Sequence, residues 1–300
     1  MSGERRRLLP GAERLLAEQA AELPQKDELC GAFQGLLALR AAAVAGSEQL
    51  DQDTVALAAG SVLSPPPRSG SLPPQERGRD DFRVALPVAA AGAQVGTSAR
   101  GLARAIERLA GGALTVVPAT GAWSTGALET LLDRALGSPA PLAAIANLDV
   151  ARLWDACAGP SPALGSVAAL EAIATVDVAG PELTRGDGQR ARRYLDEGLD
   201  PGPDSPWRVG HFAALAGVRR GRSGTLVTVI DSYRSLGEAG VHEQPVERVA
   251  AALLRDGRRP GGVLLVLPAA CASTAREWVR TAALEPMLWD NGSPDVRAEG

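Results

Sequence analysis

One cysteine of three, one histidine of two and one aspartate stand where they could build a nucleophile. Cys30 is preceded by Gln25 and followed by Gly31, at the point where a helical apolar pattern begins. A thiol in the first turn of a helix sits at the positive end of the peptide macrodipole, which together with a nearby imidazolium favours the nucleophilic thiolate. His211 opens an apolar β-type run and Asp231 closes the next one. Antiparallel pairing of those runs would set the two side chains next to each other, so that the carboxylate could orient the ring. Gln25 could offer its amide N–H, with the backbone N–H of Cys30, to an oxyanion.

The remaining candidates carry blander readings. Cys157 and Cys271 lie at wide, irregular spacing from Cys30 with no base beside them, and are read as core residues. His242, beside Glu243 and Gln244, is a rival base or a residue lining a substrate cleft. Trp207, just before the histidine run, is a packing residue or a wall of that cleft. Asp231 could equally terminate its strand in a turn with Ser232, a common use of aspartate.

The elements that must position these groups are legible in outline. A helical pattern (Leu8, Leu9, Leu15, Leu16, Ala20) stops at Pro24, and a second helix follows, with Asp27 as its cap and Leu29, Phe33, Leu36, Leu37 and Val44 along one face. Residues 61–80, rich in Pro, Ser and Gly, read as a mobile loop or linker. Beyond it come a strand over 83–88, a helix over 98–109 ended by Gly111-Gly112, a strand over 113–117, a helix over 125–136 and a buried strand over 141–146. Residues 153–181 are ambiguous. Strands over 211–218 and 225–230 flank Arg219–Gly224, which has hairpin chemistry. A helix opened by Pro245 and a strand over 262–267 follow, with 286–300 expected as a flexible tail.

Composition narrows the class. The 300 residues are 45% hydrophobic and 22% charged, with a formal charge of −4 and Arg dispersed among acids, so no basic stripe for nucleic acid is expected. No apolar run approaches the roughly 20 residues that span a bilayer, so no membrane partner is expected, and the early apolar stretch is broken by Pro10, Glu13 and Arg14, so a cytoplasmic protein is expected. Three cysteines give neither a disulfide framework nor a zinc pattern, and no glycine-rich stretch has phosphate-cradling spacing. No cofactor or metal is called for; the oligomeric state is not encoded in any pattern found.

Three stretches carry a family resemblance: Gln25–Gly31 with its Cys-Gly pair, Leu128–Ala146 as a helix leading to an apolar strand, and Gly210–Val218 followed by Val227–Tyr233, a Gly-His-aromatic strand and a strand ending in Asp. The chain resembles the papain-like cysteine peptidase superfamily, in its C39-like branch. The resemblance implies Cys30 as nucleophile, His211 as general base and acid, Asp231 as orienter and Gln25 in the oxyanion hole. It also implies an α+β fold over residues 1–300, with a helical layer bearing the cysteine packed on a mainly antiparallel sheet bearing His and Asp. The Pro-rich stretch and the region near 153–203 would be insertions. The function expected is cysteine-nucleophile amide hydrolysis, as a peptidase acting on a peptide or amide substrate. The alternatives are a catalytically silent peptide-binding module, an acyltransferase using the same thioester, and a plain structural domain.

Overall fold

Val-, Leu-, Ile- and Ala-rich runs become strands that are buried along nearly their whole length. The structure, a computed structural model, describes residues 5–68, 72–156, 185–199, 202–255 and 259–295. Its strands are β1 (Arg5–Leu8), β2 (Leu114–Ala119), β3 (Ala143–Asp149), β4 (Gly210–Arg220), β5 (Thr225–Ile230), β6 (Val241–Pro245) and β7 (Gly262–Pro268). They form one sheet in the order β2-β7-β3-β4-β5-β6, every pairing antiparallel, with β1 added against β4. β3 takes Gly210–Leu215 of β4 and β1 takes Gly217–Arg220, end to end along one edge, while β5 takes the other. Gly217 permits this crowding, because a Cβ there would lie 2.4 Å from the Arg7 carbonyl oxygen.

The helices are α1 (Ala12–Glu22), α2 (Cys30–Ala41), α3 (Gln52–Ala59), α4 (Ala99–Leu109), α5 (Thr125–Leu136), α6 (Arg185–Glu197), α7 (Val246–Leu254) and α8 (Ala272–Thr281). The architecture is therefore α+β, with a mainly antiparallel open sheet. Ser98 and Ser124 cap α4 and α5 by accepting from the N–H groups of Gly101 and Ala127, as their sequence positions suggest. No described helix is long and apolar enough to cross a membrane.

α2 departs from the one-faced pattern expected of it. Ala32, Gly35 and Leu39 are buried along with Phe33, Leu36 and Leu37, because α1, α3, α4 and β4 surround the helix. A helix apolar all round belongs inside a protein rather than on its surface. Asp27 does not cap it. Leu29 holds that position with no side-chain bond, and Asp27 instead accepts from the Arg79 N–H at 2.7 Å.

Other differences have equally local causes. Residues 5–8 are strand and the first helix begins at Ala12, past Pro10. Residues 83–88 form no strand: the Arg83 N–H goes to the Asp53 carboxylate, and Val88 makes only an isolated bridge with Leu63. The 61–80 segment is irregular, as its composition dictates, yet its described residues are tied down. Ser64 donates twice to Glu28, and Glu76 accepts from the Ser235 N–H at 2.7 Å. Residues 286–295, expected as tail, run back over the fold: Trp289 is buried and Asn291 donates to the Thr97 carbonyl. Most of the ambiguous 153–181 stretch, including Cys157, lies outside the described residues.

The β4–β5 pairing contains a bulge that decides the site. From Arg220↔Thr225 to Gly217↔Thr228 the register is regular, and it then slips by one residue at Ala216, so that Leu215 faces Val229 and Ala214 faces Ile230. Continued, the slipped register sets Asp231 level with Ala213, two residues from His211 and on its face of the sheet. Without the slip Asp231 would face Ala214 and point to the opposite side, since side chains alternate along a strand.

Candidate active site

Cys30 is the first residue of α2 and is half-buried. The residue before it but one, Glu28, is held at φ 62°, the left-handed region, and its carboxylate is bonded to Ser64. No side chain caps the helix, so its first-turn N–H groups are available as donors beside the thiol. Gly31 lets α2 approach β4, because a Cβ there would lie 2.9 Å from Thr97 Cβ and 3.2 Å from the Phe212 ring. One turn on, buried Gln34 donates to the Ile230 carbonyl at 3.1 Å, tying the cysteine helix to the strand end that carries Asp231.

His211 is 2% exposed and Asp231 1% exposed. His211 Nε2 lies 3.0 Å from Asp231 Oδ1, within hydrogen-bond range. Burial alone would lower the imidazole pKa, but the Asp231 charge and hydrogen bond, joined by a hydrogen bond with Cys30 and its charge, raise it well above the ordinary value. Burial alone would raise the Asp231 carboxyl, and the His211 charge, with its hydrogen bond, wins and holds it below the carboxylate range. With Nε2 engaged by the carboxylate, Nδ1 is the ring nitrogen left for the thiol. The structure thus brings Cys30, His211 and Asp231 together as the sequence suggests.

Gln25 joins them through Ser232. The Ser232 hydroxyl donates to Gln25 Oε1 at 2.5 Å and lies 3.3 Å from His211 Nε2, while the Ser232 N–H donates to Asp231 Oδ1 at 2.7 Å. The Gln25 N–H in turn donates to the Ser232 carbonyl at 3.0 Å. Its side-chain Nε2 points to the Lys26 carbonyl at 3.3 Å, a long bond that an anion beside Cys30 would have to displace.

Trp207 and His242 are both buried. Trp207 is buried with its ring 4.9 Å from the His211 ring and 5.7 Å, edge-on, from Tyr233. It covers the His–Asp pair with apolar surface, which strengthens that pair by excluding water. His242 lies on the far side of Asp231, with Nε2 3.5 Å from Oδ2 and Nδ1 3.0 Å from Gln244 Nε2. Cys271 is half-buried, outside the site, against the apolar core.

Sequence reasoning missed Ser232, Gln34, Gln244 and Gln19, whose Nε2 donates to the Asp231 carbonyl at 2.9 Å. Three of these are buried glutamines, a pattern that signals a polar group with a fixed partner. Among the described residues no group of three or more His, Cys, Asp and Glu side chains is arranged to hold a metal ion.

No curated protein matches the chain. A family model does match it, over residues 9–290, a span that contains every side chain of the site from Gln19 to Gln244. By that match the chain belongs to DUF6885, a family of unknown function.

Proposed function

We propose that the protein is a cysteine-nucleophile amide hydrolase of papain-like type, acting on a peptide or amide. The observation that carries the reading is the buried pair His211 Nε2–Asp231 Oδ1 at 3.0 Å, with the Cys30 thiol close enough to help raise the imidazole pKa. In this reading the Cys30 thiolate attacks the substrate carbonyl carbon, the amide C–N bond breaks, and His211 gives its proton to the leaving amine. Water, deprotonated by His211, then attacks the thioester, releasing the carboxylic acid and restoring the thiol. Gln25 Nε2 and the backbone N–H of Cys30 would face the oxyanion. The same thioester would serve acyl transfer if an amine entered in place of water.

A silent peptide-binding cleft of the same fold is the second reading. It is favoured by Gln25, whose side-chain Nε2 is turned to the Lys26 carbonyl. Limiting iodoacetamide, with mass-spectrometric mapping, separates the two. Turnover predicts that Cys30 labels at least about tenfold faster than Cys271 near neutral pH, and that His211→Ala removes the difference at about pH 6, where only an imidazole-paired thiolate persists. Three slow thiols, unchanged by the substitution, would retire the enzyme.

A further inference from the structure

The amide-hydrolase reading uses one of the two histidines, yet both face the same carboxylate. Asp231 Oδ1 is well supplied, taking His211 Nε2 and the Ser232 N–H. Oδ2 is buried and has no hydrogen bond of normal length among the described residues, and it faces His242 Nε2 at 3.5 Å. A buried carboxylate oxygen without a donor costs on the order of 1–3 kcal/mol, more when charged, so whatever points at it matters.

The protonation of His242 can be read from its neighbours. A backbone N–H can only donate, so the atom of Gln244 that meets the Trp154 N–H at 2.7 Å is its oxygen, Oε1. That turns the Gln244 NH2 group toward the Trp154 carbonyl at 3.3 Å and toward His242 Nδ1 at 3.0 Å. Nδ1 is therefore an acceptor and carries no proton, so the single ring proton is on Nε2, aimed at Asp231 Oδ2. A charged His242 would compete with His211 for the carboxylate. The neutral tautomer directs a donor at Oδ2 and leaves the negative charge to His211.

Resting on the hydrolase reading, we propose that His242 is a positioning residue: a neutral imidazole, its tautomer fixed by Gln244 and the Trp154 backbone, that fixes the rotation of the Asp231 carboxylate so that Oδ1 meets His211. It does not touch substrate. It acts on the nucleophile through two intermediaries, Asp231 and His211, and belongs to β6, the strand that also carries its partner Gln244.

Two measurements test it. Nitrogen-15 NMR of the histidine rings in the unaltered protein should show His242 protonated at Nε2 and bare at Nδ1 at neutral pH; an Nδ1–H tautomer would overturn the proposal without any variant. His242→Leu should then slow Cys30 labelling by about tenfold, the low end of the loss on removing an orienting partner, and shift the His211 proton shared with Asp231. His242→Gln, whose Nε2 can replace the lost donor, should recover most of both. Wild-type labelling in the leucine variant, or a folded glutamine variant as slow as the leucine one, would overturn it. If wild-type Cys30 labels no faster than Cys271, the hydrolase reading fails by itself, and the tautomer and the His211 proton still decide the positioning role.

Discussion

The smallest residue beside Cys30 sets how closely its helix can sit. Gly31 gives way to Thr97 and Phe212 with no space for a methyl group, so Gly31→Ala must push α2 away from β4 and carry Cys30 with it. Overpacking of this kind costs about 1–3 kcal/mol. The expected outcome is a lower melting temperature together with loss of the fast labelling of Cys30, since a displacement of about 1 Å is enough to break a positioned pair. Unchanged labelling in the folded variant would show that the thiol does not depend on that contact. At this scale Cys30, His211 and Asp231 were visible in the sequence because each has a chemistry that few neighbours could supply. Ser232 and Gln244 were not, because their roles are set by which atom of a distant residue they meet, and hydroxyls and amides are too common along the chain to stand out.

Among the elements, the β4–β5 pair carries the sharpest prediction. Past the slip at Ala216, the pairs Leu215↔Val229 and Ala214↔Ile230 keep Asp231 on the face of the sheet that His211 occupies. Deleting Ile230 should leave the hairpin intact while setting Asp231 opposite Ala214, which turns the carboxylate to the other side. The His211 proton shared with Asp231 should vanish from the NMR spectrum and Cys30 should label as slowly as in His211→Ala. Survival of that proton would mean that the register re-forms with a bulge elsewhere. The hairpin itself was legible from its Gly-rich turn and flanking β-branched residues. The bulge was not, because Leu215-Ala216-Gly217-Val218 reads as ordinary strand, and only the approach of β1 to Gly217 explains why it yields there. The same holds for residues 83–88: they read as a strand, but they pair only through the Val88 bridge to Leu63, and the Asp53 carboxylate takes the Arg83 N–H.

At the scale of the molecule, the buried pair makes stability depend on pH in a definite direction. His211 holds its proton more tightly folded than unfolded, so its contribution is complete below the ordinary imidazole value of 6.5 and fades as pH rises above it. Asp231 gives up its proton more readily when folded, so its contribution is complete above the ordinary value of 3.8 and fades on acidification. The melting temperature of the wild type should therefore exceed that of Asp231→Asn most between those two values. The gap should narrow on either side, and a gap independent of pH would show that the pair adds nothing. The α+β class agreed with the alternation of helical and strand patterns along the chain, whereas the central place of α2 did not, because its sequence read as a helix burying one face only. The anchoring of residues 286–295 by Trp289 and Asn291 did not, because a single tryptophan in a Pro- and Gly-containing segment gives no periodic signal.

The pairing of β1 with β4, and of Cys30 with His211, joins the beginning of the chain to its last third. During synthesis at about 5–20 residues per second, the thiol therefore leaves the ribosome roughly ten to forty seconds before its base does. Through that interval α2 has neither its sheet nor its imidazole, and the cysteine is an unpaired thiol. The arrangement couples the pairing of Cys30 with His211 to completion of the fold: a chain halted anywhere before β4 holds the thiol but not the imidazole.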